Sequence, residues 1–171
     1  MKRPELVIIS AIGAKTRVIG HGMDLPWHIS EDLKRFKALT SGYPVLMGKT
    51  TFDSLIHQLG KPLPGRRNVV LSHQDVTYPQ WDLVEVYPSI ESAMTMLRDE
   101  ERIFITGGAT IYKSFLERVD RLELTLVDGD HKGDVFFPAY EHLIGTVYEE
   151  TARDTRDGFA FVTFKRKADS D

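Results

Sequence analysis

Short apolar runs recur along this chain without the alternation of a half-exposed strand: Leu6 to Ile12, Pro44 to Met47, Asn68 to Leu71 and Ile103 to Thr106. A strand that is apolar on both sides must be covered on both faces, so such runs point to a parallel sheet between helices. Helical segments fall between them. Ser30 is placed to cap a helix over Glu31 to Leu39, with Leu33 and Phe36 on one face and Gly42 as the stop. A second helix begins near Thr50, Thr51 and Phe52, and a third follows Pro88-Ser89 through Met94 and Leu97. A fourth starts at Gly107-Gly108 and carries Ile111, Phe115 and Leu116. This alternation predicts an α/β fold with a central, twisted, mainly parallel sheet flanked by helices. The C-terminal part reads differently. Leu122 to Leu126 alternates and Phe159 to Phe164 is aromatic and β-branched, with no readable helix between, so the two are expected as an antiparallel pair at the sheet edge. No repeat or linker interrupts the chain, which reads as a single domain over residues 1–171, with a frayed tail from Lys165 or Arg166 onward.

Composition narrows the function. At 171 residues the chain can bury roughly two-thirds of its unfolded surface. Lys and Arg total 22 against 25 Asp and Glu, a net charge of −3, which argues against a nucleic-acid partner held by bulk charge. No stretch approaches the ~18 apolar residues of a membrane-spanning helix. The run Leu6-Val7-Ile8-Ile9 is too short for a signal peptide, and no small-residue cleavage site follows it. The chain has no cysteine, which removes disulfides, iron–sulfur clusters, thiolate zinc and thiol nucleophiles together. A cytoplasmic protein, or one indifferent to redox conditions, is expected.

Several tempting motifs fail. Met47-Gly48-Lys49-Thr50 looks like the end of a phosphate-binding P-loop, but the required earlier glycine is Tyr43. Gly20-His21-Gly22 starts like a dinucleotide fingerprint and runs into Pro26 without a third small residue. His21, His28, His57, His73, His131 and His142 show no pair at metal-ligand spacing on one helix, so no metal site is expected. Two phosphate-friendly junctions survive: Gly48-Lys49-Thr50-Thr51 and Gly107-Gly108-Ala109-Thr110. Each joins a strand to a helix start, where free N–H groups and the macrodipole attract anions. Two such junctions at the carboxyl ends of parallel strands suggest a dinucleotide lying across the sheet.

The most informative stretch is Leu25-Pro26-Trp27-His28-Ile29-Ser30-Glu31-Asp32-Leu33. Asp32 falls in the first helical turn and shares a face with Phe36, four residues on. One reading is an exposed acid favoured by the helix dipole, as Glu31 beside it should be. The other is a semi-buried carboxyl flanked by Trp27, with a raised pKa and a capacity to handle protons near neutrality.

Leu25-Pro26-Trp27 followed by Ser30-Glu31-Asp32-Leu33-Lys34-Arg35-Phe36-Lys37 resembles the dihydrofolate reductase family in its bacterial form. Collinear matches extend along nearly the whole chain: Val18-Ile19-Gly20, Pro44 to Phe52, Pro62-Leu63-Pro64-Gly65-Arg66-Arg67-Asn68, Leu71-Ser72, Ile105 to Tyr112 and Gly133 to Pro138. The resemblance implies a dihydrofolate reductase-like fold and the reduction of dihydrofolate to tetrahydrofolate by hydride from NADPH, supporting one-carbon and thymidylate metabolism. It implies a monomer whose ligands are dihydrofolate, NADPH and antifolate inhibitors. Asp32 becomes the only ionisable side chain at the pterin, with Thr125 completing its hydrogen bonds, Leu25 and Trp27 gating water, and Tyr112 on the nicotinamide side. The pocket walls map onto Ala11, Leu33, Phe36, Leu55 and Leu63, with Thr106 at the floor. Arg66 would clamp the substrate's α-carboxylate through its planar fork, with Lys61 assisting; without the resemblance it reads equally well as a surface residue beside Arg67.

For NADPH, the same resemblance implies Gly107, Gly108, Ala109, Thr110, Ile111 and Tyr112 at the pyrophosphate and nicotinamide, with a cis Gly107–Gly108 bond. Gly48, Lys49, Thr50, Thr51, Leu71, Ser72 and His73 would surround the adenosine end and its 2′-phosphate, and Ala11, Ile19, Gly20 and Thr106 would complete the cofactor's contacts. Residues 13–24 would be a mobile lid swivelling on Gly20 and Gly22, with the loop of Asp134 packed against it. The chain departs from the pattern in extra residues around Ile56-His57-Gln58-Leu59, in Lys49 where Arg is common, and in polar Thr106 at the pterin floor. Two other readings fit the same residues: a nucleotide-binding module without turnover, and a sibling reductase of pyrimidines or pterins. Arg66 argues against the sibling, because only a glutamate-tailed substrate needs that clamp.

Overall fold

The structure is a computed structural model that describes residues 2–168. In chain order the elements are β1 (Glu5–Gly13), β2 (Val18–Gly20), α1 (Ser30–Thr40), β3 (Val45–Gly48), α2 (Lys49–Leu59), β4 (Asn68–Leu71), β5 (Val84–Tyr87), α3 (Ile90–Met96), β6 (Arg102–Ile105), α4 (Ala109–Phe115), β7 (Arg121–Val127), β8 (Val135–Phe136), β9 (Tyr148–Thr155) and β10 (Phe159–Arg166). Eight strands form one sheet in the order β5-β4-β3-β6-β1-β7-β10-β9, and β2 pairs with β8 apart from it. From β5 to β7 every pairing is parallel; β10 then runs antiparallel to β7, and β9 antiparallel to β10.

The unbroken apolarity of β1 has its explanation in the two layers beside it. Leu6, Ile8 and Ile12 pack into a core with Ala93 and Leu97 around α3 and with Tyr112 and Phe115 of α4. Val7 and Ile9 point the other way, into a core with Phe52 and the inward sides of Phe36, Leu39 and Leu55 from α1 and α2. Successive side chains on a strand go to opposite faces, so a strand covered on both sides needs both sets apolar.

The antiparallel β7–β10 pair forms as expected, but it is not the edge of the sheet. That place belongs to β9, whose eight residues are exposed except Tyr148 and which therefore carries no buried face for a sequence pattern to reveal. Nor do Lys165 to Lys167 fray as expected. Lys165 and Arg166 stand in β10, the Arg166 amide donates to the Asp120 carbonyl at 2.9 Å, and the Lys167 amide donates to the Val147 carbonyl at 2.9 Å. The last part of that expected tail, residues 169–171, lies outside the described residues. Ser30 is not the cap of α1 but its first helical residue. Ile29 holds the extended capping position with no side-chain cap bond, and its carbonyl accepts from the amides of Asp32 and Leu33.

Candidate active site

The parallel order gathers the carboxyl ends of β1, β3 and β6 side by side, and the two helix starts that follow β3 and β6 meet there. The Gly48 amide donates to the Gly107 carbonyl at 2.9 Å, and a side chain on Gly108 would press to 3.1 Å from Thr51 Oγ1. The two phosphate-friendly junctions are thus one surface. Neither helix has a side-chain cap, so the first amides of α2 and α4 are left to other partners. The Gly107–Gly108 peptide is cis, with Gly107 at φ +122°. Tyr112, buried behind it, donates its hydroxyl proton to the Ile9 carbonyl at 2.8 Å, and burial raises its pKa.

Asp32, on α1, lies within electrostatic reach of Tyr112. Leu122 and Leu124 of β7 go to the α3–α4 side, so Glu123 and Thr125 turn toward α1. Buried Thr125 donates its hydroxyl proton to Asp32 Oδ1 at 2.5 Å, and Oδ2 takes no partner among the described residues. Burial pushes the Asp32 carboxyl above its usual range, while the Thr125 hydrogen bond and the Arg35 charge pull it back. Neighbouring Glu31 is exposed and paired with Arg156 at 2.5 Å, the surface role expected of it.

Around the acid, Phe36 and Leu55 are half-buried and Leu63 buried, whereas Leu33 and Leu25 are each 48% exposed. Leu33, directly after the half-buried acid, is thus a large apolar side chain left bare to solvent. Trp27 packs, with Ile29, against Val127, Phe159 and Phe161, and meets the His131 ring edge to face at 5.0 Å. Thr106 donates its hydroxyl proton to the Leu46 carbonyl at 3.3 Å, which occupies its polar atom at the sheet end.

Two adjacent arginines part company. Arg67 pairs with Glu85 and Glu100. Arg66 is only 5% exposed; its Nε donates to the Pro64 carbonyl and its Nη1 to Thr40 Oγ1 at 2.7 Å, with no carboxylate partner among the described residues. Burial lowers its pKa with no anion to offset it. Asn68 was not singled out from sequence as a site residue, yet it staples this turn: its side chain exchanges hydrogen bonds with both backbone groups of Leu63 and donates to the Arg66 carbonyl. Its place directly after the Arg66-Arg67 pair was the available clue. Lys61 is exposed nearby.

Past the carboxyl ends of β3 and β4, Lys49 is held by Asp53 at 2.7 Å, Thr50 and His73 are exposed, and Ser72 Oγ accepts from the Gln74 amide. A cavity of about 410 Å³ opens there along residues 72–78 and the outer side of β5. The segment expected as a lid is docked on two sides. The Gly22 amide donates to Asp134 Oδ1 at 2.9 Å, and the Asp134 amide to the Gly20 carbonyl at 3.0 Å. On the other side Ser54 Oγ and Gln58 Nε2 both donate to the Met23 carbonyl, and His57 lies 3.6 Å from Asp24. The extra residues of α2 therefore extend the helix to Met23 and Asp24.

The family model described as dihydrofolate reductase matches residues 5–166. Dihydrofolate reductase HdrB of Haloferax volcanii is 43% identical over 167 residues, covering 94% of this chain and 83% of its own length. Dihydrofolate reductase type 3 of Salmonella typhimurium is 42% identical over 168 residues, covering 95% and 99%. A solved structure of dihydrofolate reductase from Enterococcus faecalis, complexed with NADP(H) and RAB-propyl, superposes with a TM-score of 0.81 at 27% identity, over 96% of this chain and 97% of that one.

Proposed function

This chain belongs to the dihydrofolate reductase family, and we propose that Asp32 is the acid that holds the pterin and Arg66 the clamp on its glutamate tail. The enzyme reduces dihydrofolate to tetrahydrofolate with NADPH. The observation that carries the assignment is the half-buried Asp32 carboxyl, fastened through Oδ1 to Thr125, with no partner on Oδ2 among the described residues and exposed Leu33 beside it.

The residues present fit the cofactor: the glycines at 48, 107 and 108 let backbone approach closely, and the uncapped starts of α2 and α4 offer amides to a diphosphate. NADPH, when bound, supplies the hydride. The chain supplies alignment. Asp32 accepts the paired donors of the pterin's amino and ring N–H edge, which orients the ring, and the walls Leu33, Phe36, Leu55 and Leu63 exclude water from its faces. Asp32, protonated at the outset, gives the imine nitrogen its proton through water passing Leu25 and Trp27 and is left as the carboxylate that accepts those paired donors. Because the acid's pKa is raised, turnover falls as pH rises through its midpoint and the pocket loses that proton. Arg66, a buried cation without a counter-ion among the described residues, receives the substrate's α-carboxylate in its fork. We propose that the chain acts as one domain and as a monomer, in the cytoplasm where NADPH and folates are available.

The test mixes the protein with NADPH and dihydrofolate and follows NADPH absorbance. The expected result is turnover that Asp32→Asn lowers by about 10²-fold or more at neutral pH while NADPH affinity persists. Near-full turnover in that variant removes Asp32 from the mechanism, and turnover only with other heterocycles moves the enzyme to a sibling activity.

A further inference from the structure

One helical turn past Asp32, Arg35 reaches the same strand that supplies Thr125. Its Nη2 donates to Glu123 Oε2 at 2.6 Å, and its guanidinium lies over the Phe161 ring, 4.7 Å from the centroid. Glu123 is 5% exposed; it also accepts from Thr163 Oγ1 at 2.8 Å and stands 3.0 Å from Arg121 Nε. Residues three apart share a helix side, and residues two apart share a strand face. Helix α1 is therefore fastened to β7 at two successive points, Asp32 to Thr125 and Arg35 to Glu123.

A largely buried ion pair is a weak stabiliser, because desolvation offsets most of the attraction and apolar residues of like size would hold the layers as well. What such a pair adds is register, together with a permanent cation at a defined place. Here that place is beside a carboxyl whose burial disfavours ionisation.

We propose that Arg35 and Glu123 are a positioning pair for Asp32: the strand carboxylate holds the guanidinium one turn from the acid, keeping the acid seated on Thr125 and setting the pH range over which it serves. This rests on the reading of Asp32 as the substrate-facing acid. The other charged and titratable groups around Asp32 are accounted for. Glu31 and Asp154 are tied to Arg156, Arg121 is shared between Glu123 and Glu5, the Tyr112 hydroxyl donates to the Ile9 carbonyl, and His28 and His131 lie beyond Trp27. Arg35 is the cation whose charge acts on Asp32.

The experiment is the pH profile of single-turnover hydride transfer with NADPH and dihydrofolate. It compares wild type, Arg35→Met and the double variant Arg35→Met/Glu123→Gln, which leaves no buried carboxylate without its cation and so guards against loss of the fold. The expected result is a midpoint displaced to higher pH by about 0.3 unit or more in both, since the protonated acid is favoured once the cation is gone. Arg35→Lys, which keeps a cation there, should bring the midpoint most of the way back to that of wild type. Unchanged midpoints in folded variants, even with lower melting temperatures, overturn the proposal and leave the pair a structural strut. Asp32→Asn separates the two readings: a wild-type pH profile in that variant sinks the assignment of Asp32 itself, whereas its loss alongside an unmoved Arg35→Met midpoint sinks only the pairing.

Discussion

A carboxyl in the first turn of a helix is ordinarily favoured as an anion by free amides and the macrodipole. Asp32 departs from this because β7 and the apolar walls take it partly out of water, while Glu31, one residue earlier, stays exposed and follows the rule. The same contrast separates Arg66 from Arg67. Nothing in two consecutive arginines says which one faces a glutamate; the strand order brings Glu85 and Glu100 to Arg67 and leaves Arg66 with neutral oxygens alone. From this follows a residue-scale prediction. Arg66→Leu should raise KM for dihydrofolate by about 10- to 100-fold, the worth of a charge-assisted bond. It should leave KM for tail-less dihydropteroate near wild type. Steady-state kinetics on both substrates check it, and an equal rise for both would detach Arg66 from the tail.

At the scale of elements, helix starts were only partly legible. Ser89 does cap α3, in a reciprocal box with Ser92, but Ser30 sits inside α1 because Ile29 already has the extended backbone of a cap. Both are serines ahead of helical periodicity; the difference lies in backbone angles set by how each loop enters. The segment from β2 to Asp24 shows the same dependence. A Cβ on Gly133 would overlap the Gly20 carbonyl oxygen and Val18 Cγ2, so β2 and the Asp134 loop touch backbone to backbone. Gly133→Ala should force these apart, costing about 1–3 kcal/mol and lowering kcat as the Gly22–Asp134 bond is lost. Thermal melts with stopped-flow turnover test this, and wild-type values in both would show that the loop gives way freely. The α2 extension was visible as extra length, but its purpose appears only where Ser54 and Gln58 meet the Met23 carbonyl.

For the whole molecule, the eight-stranded sheet with cores on both faces makes its central strands the least forgiving part. Phe104→Ala, at a fully buried position in β6, should cost about 3–5 kcal/mol by urea unfolding; a cost below about 1 kcal/mol would mean that the core collapses around the gap. The sequence by itself determined the α/β class, the parallel interior and the four helices, because unbroken apolar runs and helical spacing record how many faces of each element are covered. Its collinear motifs also carried the family resemblance. Only the tertiary structure decided the outer strand β9, whose exposed residues carry no burial pattern, and the pairings Asp32–Thr125 and Arg35–Glu123, which join residues 93 and 88 positions apart. Periodicity is written within one element by the backbone's own geometry, whereas the partner of a charge depends on which elements the sheet order sets side by side.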